Sequence, residues 1–146
     1  MNVKEIIREA EVEGHLAGAR CNPTPMIIGQ AVGLFGNEIV SGTEELVADG
    51  CCGFAWVDIY PRKSEANKQF IKALKAEDMV DENKGGRNSQ NPNHIFDKIS
   101  YLGPVHYEYW CIHFGQSMQR KEAFCKAFVE VLERYGITAY VGSRMD

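Results

Sequence analysis

The chain has 146 residues, 45% of them apolar and 25% charged, with a formal net charge of −4. That is one domain's worth of ordinary globular composition, long enough to bury a core. The acidic balance gives no general attraction to nucleic-acid phosphates, and no apolar run approaches the roughly 20 residues of a membrane span, so neither partner is expected. The N-terminal segment carries acids throughout, unlike a secretory leader. The five cysteines, an odd number, read as reduced thiols of a cytoplasmic protein.

The first segment predicts a helix. Val3, Ile6, Ile7, Ala10, Gly14 and Ala17 recur at three- and four-residue steps, and Ala10, Gly14 and Gly18 form a small-residue ridge suited to close approach of another backbone. Pro23 and Pro25 end it. MIIGQAV (26–32) reads as a strand, and residues 33–50 as a loop-rich stretch with at most one short helical turn. Cys52 to Pro61 reads as the next strand. Ser64 is placed to cap a helix whose apolar face holds Ala66, Phe70, Ala73 and Leu74. Residues 81–98 are polar, rich in Gly and Asn and without a period, which predicts a surface loop.

The last third is the most regular. HYEYWCIHF (106–114) is an aromatic strand. Residues 117–135 predict a helix with Phe124, Ala127, Phe128, Val131, Leu132 and Tyr135 on one stripe and Gly136 just past its end. Residues 137–141 close the chain as a strand, and the GSRMD tail reads as a frayed terminus. The whole is a single α+β domain, residues 1–146, in the order α-β-β-α-β-α-β: a sheet of three to five strands with two or three packed helices.

Three stretches together carry a resemblance: FGQSMQRKEAFCKAFVEVLERYGITAYVGSRMD (114–146), DGCCGFAWVDIYP and NPTPM. They resemble an uncharacterised family of small tailed-phage proteins. The resemblance implies a phage source and the host cytoplasm. It implies no activity and no site residues.

The Gly115-Gln116-Ser117 turn is the leading candidate site. A helix N-terminus presents unbonded amides and a positive dipole end, which suit an anion. Arg120 and Lys121 occupy the first turn, where bases are mildly unfavourable unless something negative lies nearby. With Tyr109, His113 and Arg144 added, these residues suggest a small phosphorylated ligand such as a nucleotide, and binding rather than catalysis. The competing expectation is an interaction or self-assembling module, a homo-oligomer using the small-residue ridge and an aromatic sheet face. That face is formed by Tyr107, Tyr109, Cys111 and His113 if Trp110, Ile112 and Phe114 turn toward the long helix. Spacings for thiolate or HExxH metal sites are missing, so no metal and no cofactor is expected.

Overall fold

The structure, a computed structural model, describes residues 1–28, 31–32, 38–39, 45–47, 50–83 and 90–146. Helix α1 (Val3–Arg20) is followed by four short strands, β1 (Met26–Ile28), β2 (Ala31–Val32), β3 (Glu38–Ile39) and β4 (Glu45–Val47). β1 pairs with β4 and β2 with β3, both antiparallel. The stretch expected to be loop-rich, residues 33–50, therefore supplies two strands, each completed by a partner upstream that local composition does not reveal.

The main sheet has five strands in the order β6-β7-β8-β5-β9. They are β5 (Gly53–Ile59), β6 (Val80–Asp81), β7 (Phe96–Ile99), β8 (His106–Trp110) and β9 (Tyr140–Met145). Neighbours are antiparallel except β6 and β7. Helix α2 (Glu65–Ala76) lies between β5 and β6, and α3 (Met118–Arg134) between β8 and β9. The α+β architecture and the element order agree with the expectation. Several boundaries do not: β8 ends at Trp110 rather than Phe114, and the last strand starts at Tyr140 rather than Ile137. The loop expected over 81–98 carries β7, because Phe96 and Ile99 are buried at 0% and 1% exposure and hold that strand against β8. The tail expected to fray pairs with β5 through Met145, and the Asp146 amide donates to the Cys52 carbonyl at 3.0 Å.

The helix ends follow the residues that cap them. Ser64 accepts from the Asn67 amide and Ser117 from the Arg120 amide. Past α3, Gly136 adopts φ +80° and the Ile137 amide returns to the Leu132 carbonyl at 3.0 Å. Helices α1, α2 and α3 join one core with the inward face of the sheet: Ile6, Ile7 and Ala10 from α1, Phe70 and Leu74 from α2, Phe124, Phe128 and Leu132 from α3, and Ala55, Val57 and Ile59 from β5. The small-residue ridge of α1 serves this core. A Cβ on Gly14 would lie 2.8 Å from the Phe124 ring, and one on Gly18 would overlap the ring of Phe114. What meets the ridge at Gly14 and Gly18 is the aromatic rings of Phe124 and Phe114.

Strand alternation then decides the two sheet faces. Tyr107, Tyr109 and Cys111 are 2–4% exposed and belong to the helical core, while Ile112 is 83% exposed. This reverses the facing expected for β8. Trp110 stacks on Trp56 of β5 on the opposite side from the helices, with ring centroids 5.0 Å apart and planes at 17°. Gly142 of β9 pairs with Trp56, and a Cβ there would collide with the indole. Glycine at that position lets the ring lie across the neighbouring strand.

Candidate functional site

The outer face of the sheet is built from the alternate residues of β5 and β8. Trp56 is in register with Trp110, and Asp58 with Glu108, so two strands produce a square of two indoles and two carboxylates. Each carboxylate is gripped by the indole two residues away on its own strand. Trp56 Nε1 donates to Asp58 Oδ2 at 3.1 Å, and Trp110 Nε1 donates to Glu108 Oε1 at 3.1 Å. The remaining oxygens turn toward His106. Its Nε2 lies 3.7 Å from Asp58 Oδ1 and 3.5 Å from Glu108 Oε2.

Nδ1 of His106 lies 2.9 Å from the Pro104 carbonyl oxygen. A carbonyl can only accept, so Nδ1 carries a proton, and Nε2 is the ring nitrogen turned toward the two carboxylates. The cluster is enclosed. Side-chain exposure is 8% for His106, 13% for Glu108 and 17% for Asp58. Burial, with the Glu108 charge second, raises the Asp58 carboxyl from its ordinary 3.8 to about 6, against opposing effects of His106 and the Trp56 hydrogen bond. Asp58 Oδ1 is buried and accepts no hydrogen bond from the described residues.

The acidic character extends across the sheet. Asp81, Asp97, Glu108 and Asp58 are successive register partners from β6 to β5. Strands lie about 4.8 Å apart, and like charges directly opposite one another are destabilising. At the β5 end the row opens into a cleft of ≈ 420 Å³ lined by Asp58, Tyr60, Arg62, Lys63, Pro104 and Tyr140. Tyr60 stacks on His106 at 4.9 Å and meets Tyr140 edge-on at 6.1 Å, and Lys63 Nζ lies 5.8 Å from the centre of the Tyr140 ring. Asn67 fixes this end. Its buried amide donates to the Tyr60 and Thr138 carbonyls and accepts from the Thr138 amide, each at 2.9 Å.

The eight residues suggested by the sequence fall in three places. At the turn, Ser117 is a helix cap, the Met118 amide donates to Cys51 and the Gln116 carbonyl accepts from Gly53. Gly115, with φ +54°, completes the left-handed pair begun by Phe114. The negative feature near Arg120 is internal: its guanidinium donates to the Gly18 and Ala19 carbonyls at 2.9 and 3.3 Å, closing the C-terminus of α1. Lys121 is 6% exposed, with Nζ 5.3 Å from the centre of the Phe54 ring. Through these contacts the turn joins two helices and the start of β5.

Tyr109 and His113 line a second cleft of ≈ 500 Å³ with Glu11, His94 and Ile95. There the Tyr109 phenol donates to Glu11 Oε2 at 2.9 Å, and burial holds it well above the usual tyrosine range. Burial and the adjacent His15, 4.2 Å away between ring centroids, push His113 down. Of the eight, only Arg144 lies on the outer face, its guanidinium 5.4 Å from the centre of the Phe54 ring.

Asp58, His106, Glu108, Tyr60, Arg62 and Lys63 were not singled out by the sequence pattern. A signal was present: WxD in one strand and ExW in the next, each placing an indole donor and an acid on one face. No protein-family model, curated protein or solved structure matches this chain.

Proposed function

We propose that the protein binds a small phosphorylated, ring-bearing ligand of nucleotide type in the cleft between Tyr60 and Tyr140. The observation that carries this reading is the pairing of two cations, Arg62 and Lys63, with two tyrosine rings around one opening. Guanidinium and ammonium groups recognise phosphate oxygens, and aromatic rings accept a base by stacking. The cations follow β5 directly on the 3₁₀ turn Pro61–Lys63, and the Ser64 cap and Asn67 tie that turn to α2 and Thr138. The ligand site is therefore attached to the core rather than to a long loop.

A binding role, with a nucleotide held rather than turned over, is the reading carried forward from the sequence. The likeness to tailed-phage proteins gives it a setting: sequestering a host nucleotide in the host cytoplasm as a counter-defence device. Equilibrium dialysis with ATP and AMP in the presence of a chelator tests the site. Binding by the wild type, weakened at least tenfold in the Arg62→Ala, Lys63→Ala double variant, is the expected result. No retention of either nucleotide at millimolar concentration removes the reading.

One observation favours a second reading, an interaction module. Ile112, two residues past the end of β8, is 83% exposed. A partner or second copy seated on this region would bury it. Ile112→Glu would then convert an oligomer to a monomer in light scattering and leave nucleotide binding intact.

A further inference from the structure

We infer that Asp58, His106 and Glu108 form a binding site for one divalent transition ion of the zinc class, with its outward coordination position open to the Arg62–Lys63 cleft. With Nδ1 donating to the Pro104 carbonyl, His106 turns Nε2 toward an oxygen of each carboxylate, and Asp58 Oδ1 accepts no hydrogen bond from the described residues. A cation at the centre satisfies all three ligands at once, including Asp58 Oδ1.

Geometry agrees. One ligand atom from each residue lies within 4.8 Å of the others, and the two nitrogen–oxygen separations are 3.5 and 3.7 Å. Ligands about 2.1 Å from a tetrahedral ion stand about 3.4 Å apart, so small carboxylate rotations close the site. The surroundings are those of a metal centre rather than a surface ion pair. The imidazole is oriented by a backbone carbonyl, each carboxylate by an indole N–H, and the ring is backed by Tyr60.

The ligand set sorts the ions. Two carboxylates and one imidazole suit zinc, manganese or ferrous iron, whereas magnesium and calcium favour all-oxygen shells. Three protein ligands leave a position for water or for an anionic oxygen, as in sites that exchange ligands. That position faces the cleft through Asp58, which belongs to both. The site does not depend on the nucleotide reading, because the ion is bound by the protein alone.

Isothermal titration of chelator-treated protein with zinc, manganese and magnesium chlorides tests the site, together with the visible spectrum of the cobalt form. The expected result is one zinc per chain, at least 100-fold tighter than magnesium. The cobalt form should show d–d bands of four- or five-coordinate strength and no thiolate charge-transfer band. Asp58→Asn and Glu108→Gln keep the shape and an acceptor for the indoles, and each should weaken zinc at least tenfold with an unchanged circular-dichroism spectrum. The Cys51→Ser, Cys52→Ser variant should bind as the wild type does, which keeps the test informative even if an acid variant fails to fold. Absence of zinc binding at 100 µM, binding lost only in the cysteine variant, or a thiolate band in the cobalt form would each overturn the inference.

Discussion

The two faces of the central sheet use the same strands for opposite ends. On the inner face, β5 and β8 present Ala55, Val57, Ile59, Tyr107 and Tyr109 to three helices, and every one of these is at most 4% exposed. On the outer face, the intervening residues are Trp56, Asp58, Glu108 and Trp110, in a square of acids and indoles around His106. The inner face is apolar burial with its few polar groups paired, which stabilises. The outer face buries carboxylates beside one another, which costs stability in the absence of a cation. A sheet that spends stability on one side while the other side supplies it has the distribution expected of a scaffold and its site.

The comparison breaks first at the core. Phe124→Ala removes a ring with 0% exposure that packs on Tyr109, Phe128 and Gly14. It should lower unfolding free energy by about 3–5 kcal/mol in a denaturant titration. Trp56→Phe, on the half-buried outer face, should cost far less. Equal losses would show that the outer face is core as well.

Asn67 joins the two regions. Asn67→Ala leaves the Tyr60 and Thr138 carbonyls and the Thr138 amide without their partner, at a cost of about 1–3 kcal/mol. Because Tyr60 backs His106, the same variant should also weaken any ligand of the cleft. A stability loss with intact binding would separate the cleft from its anchor.

Arg120 tests whether the turn serves packing or a ligand. With its guanidinium on the last carbonyls of α1, Arg120→Ala should lower stability by about 1 kcal/mol and leave nucleotide binding unaltered. If the turn only began a helix, removing a base from its positive end would be neutral or slightly stabilising. Melting temperature distinguishes the signs.

A further effect is a pH dependence in chelator. Asp58 binds its proton more tightly in the folded chain, near pH 6, than in the unfolded chain, near 3.8. Its contribution is therefore complete below about pH 4 and is lost as pH rises through 6. The groups facing it are Glu108, which raises the carboxyl further, and His106, which lowers it. Asp58→Asn should flatten stability between pH 4 and 7 relative to wild type, with the variant at least as stable at pH 7. A steeper rise of stability with pH in the wild type would contradict this sign.

How much of this was legible in the sequence depends on how far each residue's environment is local. Helix α3 was readable because Ser117, the Phe124–Leu132 stripe and Gly136 all act within a few residues of one another. Strand β5 was readable for the same reason. The facing of β8 was not, because Tyr, Trp, Cys, Ile and Phe occupy both alternations of YEYWCIHF and hydrophobicity cannot choose between them. The choice is made across strands: an indole needs an acceptor for its N–H, and Glu108 and Asp58 meet that need on the outer face. β7 was hidden because four residues in a polar stretch become a strand only beside β8. The contact of Arg120 was not legible because its carbonyl partner lies a hundred residues earlier, at the end of α1.

The central claim is that the outer face is a cation-dependent site. The chain's two tryptophans both donate to its carboxylates, so intrinsic tryptophan emission reports on this face alone. Titration of chelator-treated protein with zinc chloride should shift or quench that emission in a saturable manner at one equivalent, and Asp58→Asn should move the change to at least tenfold higher zinc. An emission spectrum that stays constant to 100 µM zinc, while the folded state is confirmed by circular dichroism, would contradict the claim.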